Sequence, residues 1–416
     1  MIRKPKLIIS GILYPGGGLS TVFKYLVLHL RDSFELTCIG FTPMQETDII
    51  EAEIHGCKLF SIKLVGNHFF FDPAFLENLI NSFKPSHFLF LGPLPLNRVL
   101  IEQLTPYKKI GLNICGYIPI EGRIVNSNYL KMLSSIDLCI FYTHSAQDYV
   151  MQLIEKTAYA GDLPQFQVIG HGIDKKLFHP IANTPLECRK IARKIIYPNH
   201  EISESSFVVL NINRPYYRKR LDITIEGFEQ FSRDKKDVFL HLHLGLVSSN
   251  DIQEIHDLVN KTGLSDKIII TPDLTNLTIK TESWLNNLYN ACDVGLTTAM
   301  GEGWGLGLFE HALTKTAILA PNHTSFRENW TGAALLMECT DTQYVFYEYS
   351  DMDIVVPGEV KKGLDQLFYN DILLEKTAID CFEKLQSHQL DWKTVAQSFT
   401  TSLLDVLKTE EIDSHL

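Results

Sequence analysis

Two successive series of short apolar runs, each interleaved with helical periodicity, constrain the fold of this 416-residue chain more than any other feature. A parallel strand covered on both faces reads as a continuous apolar run, not an alternating one. Strands that alternate with amphipathic helices build a parallel sheet flanked by helices. The first series predicts strands over 7–13, 36–41, 88–91, 110–115, 138–141 and 167–169, with helices over 20–30 and 73–83 among those between them. The second predicts strands over 207–211, 239–244, 268–270, 294–297 and 317–320, with helices over 222–231, 251–259, 284–291 and 306–314. A polar stretch, 181–206, separates the series and is expected to hold a short basic helix and a linker. The predicted fold class is α/β, with two facing Rossmann-like doubly wound parallel-sheet domains. They are placed at 1–180 and 207–394, with an amphipathic helix and tail at 395–416. Ligands of such sheets sit outside the carboxyl ends of the strands, so facing domains are expected to enclose one cleft.

Charge excludes some functions. The chain carries 38 basic and 49 acidic residues, a net charge of −11. Residues 1–180 hold 16 basic against 15 acidic, so the negative charge belongs to the remainder. A non-specific nucleic-acid binder needs a basic face, and none is expected here. One anionic small molecule held by a few local cations stays compatible. None of the eight cysteines forms a C-x-x-C pair and most lie in apolar runs, so buried, reduced thiols in a cytoplasmic protein are expected. The basic start precedes an apolar run of only about seven residues, short for a signal peptide and read as the first strand. No run reaches the ~18 apolar residues of a spanning helix. Peripheral membrane contact remains compatible.

Three segments can carry chemistry. Pro15-Gly16-Gly17-Gly18-Leu19-Ser20-Thr21 lies between the first strand and a helix. Its glycines permit a sharp turn and close approach to an anion or sugar, or serve only as a tight turn. It is not a dinucleotide fingerprint. Arg214-Pro215-Tyr216-Tyr217-Arg218-Lys219-Arg220 leads from a strand into a helix within the acidic half. Arg214 and Lys219 can converge on a diphosphate, because guanidinium chelates phosphate oxygens and ammonium adds a point charge. Arg218 and Arg220 are expected to face water. Gly301-Glu302-Gly303-Trp304-Gly305-Leu306-Gly307-Leu308-Phe309-Glu310 places one carboxylate in a loop and a second on the helix that follows. Two hydroxylated parts of one ligand can be held by Glu302 and Glu310, with a phosphate met by the amides of Gly305 and Leu306.

In order along the chain, these segments resemble the GT-B glycosyltransferases, and among them the retaining glycosyltransferase family 4. The glycine loop is similar. Val168-Ile169-Gly170-His171-Gly172-Ile173-Asp174 with Phe178-His179-Pro180 looks like the close of the first domain, and Ala291-Cys292-Asp293-Val294 like the strand before the donor loop. Glu302 and Glu310 fit the family's E-x7-E signature. The resemblance implies that Glu310 binds the ribose hydroxyls, Glu302 contacts the transferred sugar, and Arg214 and Lys219 stabilise the departing diphosphate. It also implies donor contacts from Trp304, Gly305, Leu306 and Gly307, with Gly17, Gly18 and His171 adding to them, and a C-terminal helix that crosses back to brace the first domain. One departure stands out. Many relatives place a histidine after a middle strand of the first domain, where this chain reads Gly116-Tyr117-Ile118-Pro119-Ile120-Glu121. Glu121 is the polar group available there to orient the acceptor hydroxyl or take its proton.

The expected activity is transfer of a sugar, with retention, from a nucleotide-diphosphate-sugar to a hydroxyl of a glycan, lipid-linked, protein or small-molecule acceptor. No cofactor and no metal are expected, since the two cations take that role. Alternatives are a nucleotide-sugar epimerase or phosphorylase on the same fold, a non-catalytic sugar-nucleotide binder, and a nicotinamide-dependent oxidoreductase. His241 and His243, two apart on a strand, have metal-ligand spacing but no third donor nearby. Base recognition is expected from backbone groups around 271–275.

Overall fold

The computed structural model describes residues 4–14, 16–42, 49–64, 69–200, 202–245, 248–272 and 280–413. The chain divides into two compact units. Unit 1 comprises Met1–Gly172, Tyr344–Asp351 and Gln389–Leu416, and unit 2 comprises Ile173–Gln343 and Met352–His388.

Unit 1 is built on strands β1 (Lys6–Ile12), β2 (Glu35–Thr42), β3 (Ile49–Ile54), β4 (Cys57–Lys63), β5 (His87–Leu91), β6 (Asn113–Ile118), β8 (Leu138–Phe141) and β9 (Gln165–Val168). The short β7 (Arg123–Ile124) lies outside this sheet. The sheet order is β3-β4-β2-β1-β5-β6-β8-β9, parallel throughout except for the antiparallel β3–β4 pair. Its helices are α1 (Gly18–Leu30), α2 (Pro73–Phe83), α3 (Leu94–Leu104), α4 (Asn128–Leu133) and α5 (His144–Thr157). Every residue of β5, β6 and β8 is buried, which is why these segments read as unbroken apolar runs. Packing on β6 is tight: a Cβ at Gly116 would lie 2.5 Å from the Phe90 ring. The strand expected at 110–115 is displaced to Asn113–Ile118, because 105–110 forms a 3-10 turn that Gly111 ends with a φ of +84°. The β3–β4 pair was not anticipated. Five of the six residues of β3 are exposed, so no burial period marks it.

Unit 2 contains α6 (Pro185–Ile196), β10 (Phe207–Asn211), α7 (Leu221–Ser232), β11 (Val238–His243), α8 (Ser249–Thr262), β12 (Ile268–Thr271) and α9 (Glu282–Ala291). It continues with β13 (Val294–Leu296), α10 (Leu306–Ala312), β14 (Ala317–Pro321), α11 (Thr324–Trp330), β15 (Leu335–Met337), α12 (Pro357–Phe368) and α13 (Asp371–Lys384). Six strands form a parallel sheet in the order β12-β11-β10-β13-β14-β15. The strands β16 (Cys339–Val345) and β17 (Ser350–Val355) flank the short segment that unit 1 claims from within 207–394. There Ser350 and Asp351 pair antiparallel with Ile124 and Arg123.

The stretch 181–206 holds the expected short basic helix, α6, and belongs to unit 2. Thr184 and Glu187 form a capping box with Pro185 in the first turn, and the helix packs against α9. Arg193 is 4 % exposed. It donates to Asp293 at 2.7 Å and to the carbonyls of Ala291, Ser203 and Glu204 at 2.9, 2.7 and 3.0 Å. A basic residue of the expected short helix is therefore a buried tie with four hydrogen bonds. Residues 173–180 also belong to unit 2. The His179 amide donates to Asn286 at 3.0 Å and Asn290 donates to the His179 carbonyl at 3.0 Å. The last helix, α14 (Trp392–Asp413), starts earlier than expected and packs on α1 of unit 1. Trp392 stacks on Tyr25 with centroids 4.9 Å apart, and His87 Nε2 lies 2.8 Å from the Leu403 carbonyl.

Candidate functional site

The polar groups of unit 2 gather where β10 and β13 end. Past β10 the chain turns through Asn213, which donates to Asn211 at 2.8 Å and to Thr297 at 3.1 Å. A second layer continues below it. Asn211 donates to the Thr224 hydroxyl at 2.8 Å, Thr224 and Thr298 share a 2.6 Å bond, and Thr298 donates to the Arg220 carbonyl at 2.8 Å. Arg220 takes a left-handed φ of +48° at the start of α7. This buried hydroxyl and amide ladder fixes the 213–220 turn, since each member satisfies another away from water.

The turn presents Lys219 to the loop after β13. Its ammonium is ion-paired with Glu302, and both side chains are largely buried. Arg218 donates to the Gly301 carbonyl at 2.8 Å and lies 3.7 Å from the same carboxylate. The Met300 amide donates to the Arg218 carbonyl at 2.9 Å, so main chain and side chain both join the two segments. Arg218 was expected to face water but turns inward. Arg220 pairs with Asp222 at 2.7 Å. Arg214 is half-exposed, its guanidinium 5.9 Å from the centre of the Tyr216 ring.

The glycine-rich loop is held from beneath. Gly305 has a φ of +89°, and a Cβ there would lie 3.0 Å from the Phe326 ring, so both backbone and packing require glycine. The Trp304 indole is 7 % exposed and stacks on Phe309 at 4.9 Å. Its ring is core, which leaves the main chain of 304–307 as the part that can meet a ligand. Ser325 donates to the Glu302 carbonyl at 2.6 Å, and Asn329 reaches the Trp304 carbonyl at 3.4 Å. His323 Nε2 lies 2.9 Å from the Ala299 carbonyl, so that nitrogen carries the proton, and Nδ1 accepts from Thr324 at 2.8 Å. Burial pushes the His323 ring down to about 4 and keeps it neutral. Nothing in the sequence marked His323, Ser325 or Asn329 as supports of this loop.

Glu310 lies on α10 as expected, half-buried, and the Tyr289 hydroxyl donates to its Oε2 at 2.8 Å. Burial pushes the carboxyl up to about 7. The Tyr289 bond works against that shift, and the nearby Glu282 charge adds to it. Gly307 sits above Ile212, whose Cγ2 would be 3.0 Å from a Cβ there.

The other predicted residues belong to unit 1. Gly17 caps α1 and Gly18 begins it, and a Cβ at Gly18 would have no heavy atom within 4 Å. Ser20 receives the Tyr14 amide at 2.9 Å and donates to the Ile12 carbonyl at 3.1 Å, which closes the turn. Pro15 lies outside the described residues. Glu121 is buried just beyond β6. His171, expected to contact the donor, is 4 % exposed and packed among aromatic rings of unit 1. Its Nδ1 lies 2.6 Å from the Tyr117 hydroxyl and its ring 4.3 Å from that of Tyr142. Such a ring already has a packing role. His241 and His243 both bond the Thr271 hydroxyl at 2.8 Å, and His241 also bonds Tyr197 at 2.9 Å. Burial holds both rings below their ordinary value. Of the stretch expected to read the base, 273–275 lie outside the described residues.

No protein-family model and no curated protein matches the chain. Solved structures do. The sucrose-phosphate synthase of Thermosynechococcus elongatus is 14 % identical, with a TM-score of 0.73 over 98 % of this chain and 100 % of that one. An alpha,alpha-trehalose 6-phosphate synthase from Burkholderia multivorans is 12 % identical, with a TM-score of 0.70 over 99 % of each chain. Anabaena HepE, crystallised with UDP and glucose, is 14 % identical, with a TM-score of 0.68 over 96 % of this chain and 100 % of that one. Likeness at this level shows the fold, GT-B. Among the described residues no helix is long and apolar enough to cross a membrane.

Proposed function

We propose that this protein transfers a sugar, with retention, from a nucleotide-diphosphate-sugar to a hydroxyl acceptor. The observation that carries this function is the convergence of Lys219, Arg218 and Glu302 beyond β10 and β13, with Glu310 on the helix that the same loop enters. Carboxyl ends of parallel strands are where such sheets bind ligands. Two of the similar structures are named as synthases of sucrose-phosphate and of trehalose 6-phosphate, and the third holds UDP and glucose.

Breaking the bond between the sugar and the diphosphate leaves negative charge on the phosphate. Fixed cations stabilise that charge more than the ground state, which lowers the barrier. Lys219 and Arg214 fill this role. Glu302 neutralises Lys219 in the structure. When the donor enters, its phosphate takes the ammonium and the Glu302 carboxylate turns to the sugar. Glu310 clasps the ribose hydroxyls, and the main chain of Trp304–Gly307 meets the donor. Glu121 serves the acceptor hydroxyl. No metal is required, and the protein acts in the cytoplasm. The family 4 assignment belongs to this same proposal.

A panel of nucleotide sugars, scored by thermal shift and by slow hydrolysis, tests the function and identifies the donor. One donor class raising the melting temperature and releasing its nucleoside diphosphate is expected. No shift from any of them would remove the basis for the proposal. Turnover of a nucleotide sugar to an isomer without an acceptor would mark an epimerase instead.

A further inference from the structure

We propose that Tyr289 is a positioning residue for nucleotide binding: its hydroxyl fixes Oε2 of Glu310 and so presents Oε1 to the ribose diol. This rests on the proposed role of Glu310 as the ribose ligand. Tyr289 is fully buried on α9, twenty-one residues before Glu310. Its ring stacks on His311 with centroids 5.0 Å apart and meets Phe178 edge-on at 5.6 Å. These contacts hold the buried ring on two sides, and its hydroxyl is delivered to Glu310. A glutamate side chain has three torsions, and Oε1 faces a vicinal diol only when they are set together. A 2.8 Å bond to one oxygen removes that freedom before the ligand arrives.

The same bond sets which protonation state meets the ligand. Among the described residues, the titratable groups that act on the Glu310 carboxyl are Tyr289 and Glu282, both on α9. His311, next in the chain, is pushed down to about 3 by burial and contributes no charge near neutrality. Burial pushes Glu310 up to about 7, and the Tyr289 bond is the force that opposes it. Loss of the hydroxyl therefore moves the carboxyl further up. A diol ligand prefers the ionised form, which accepts two hydrogen bonds.

The test is calorimetric binding of UDP, GDP, ADP and CDP from pH 5.5 to 8.5 to the full chain, its Tyr289→Phe variant and its Glu310→Gln variant. Tyr289→Phe keeps the ring and its stacking, so the fold is retained. Wild-type affinity is expected to fall as pH drops through about 7. Tyr289→Phe is expected to move that midpoint up by about one unit and weaken binding roughly fivefold at pH 7. Glu310→Gln is expected to abolish the pH dependence. A weakened Glu310→Gln beside a Tyr289→Phe with the wild-type profile overturns the role of Tyr289 and leaves that of Glu310 standing. A Glu310→Gln that binds like the wild type, or no binding of any of the four, overturns the role of Glu310 itself.

Discussion

Unit 2 holds two cation–carboxylate pairs of similar composition at opposite ends of one sheet. At the amino end, just before β13, Arg193 pairs with Asp293 at 2.7 Å, the side chains 3 % and 7 % exposed. Arg189 adds a 3.3 Å contact and the Val208 amide donates to the same carboxylate at 2.8 Å. All of that bonding is to the protein's own atoms. At the carboxyl end Lys219 pairs with Glu302, whose side chain is 19 % exposed, and the surrounding loop is glycine. A closed, fully bonded pair specifies structure. A pair at an open glycine loop can exchange its partner for a ligand. Burial and the loop in which each pair sits separate the two, and residue type does not.

The contrast can be broken by substitution. The largest effect is expected at the closed pair: Arg193→Ala should cost about 3–5 kcal/mol in urea unfolding, because it strands a buried carboxylate. At the open pair, Lys219→Ala should lower kcat about 100-fold or more, as removal of a transition-state charge partner does. Its unfolding free energy should fall by less than at the closed pair, because Glu302 keeps 19 % side-chain exposure and can turn to water. Comparable losses of stability and turnover at both sites would erase the distinction. Arg218→Lys keeps charge but loses the planar fork on Gly301, so KM for the donor should rise severalfold with kcat nearly unchanged. Glu310→Gln sharpens the comparison through pH. The Glu310 carboxyl is raised to about 7 in the folded chain, so its stabilising contribution is complete below the ordinary carboxylate range and is lost as pH rises towards 7. The glutamine variant should therefore gain melting temperature over the wild type at pH 8 and show no such gain at pH 4. The smallest expected effect is none: turnover should persist in EDTA, and strict dependence on a divalent ion would show that the cations are insufficient.

Much of the fold was legible because its signal is local. β10, predicted over 207–211, forms at Phe207–Asn211, since four buried apolar residues in a row mark a covered strand. The 181–206 stretch yielded its short helix but not the burial of Arg193, for the opposite reason. Arg193 looks solvated until Ala291, Asp293 and Ser203, brought from far along the chain, surround it. Trp304 and His171 show a second limit. Both sit in segments that suggest ligand contact, yet their rings fill aromatic clusters. Side-chain direction at a loop depends on which neighbour offers apolar surface, and local pattern does not encode that.

By itself the sequence determined the order of strands and helices, the places where glycine frees the backbone, and the stations of Arg214, Lys219, Glu302 and Glu310. Those follow from hydrophobic period and backbone sterics, which act over a few residues. Only the tertiary structure decided that Arg218 turns inward to Gly301, that Tyr289 grips Glu310, and that Arg193 is a buried tie. Each of these joins groups 21 to 100 residues apart, and hydrogen bonds between such distant groups exist only once packing has excluded water from between them.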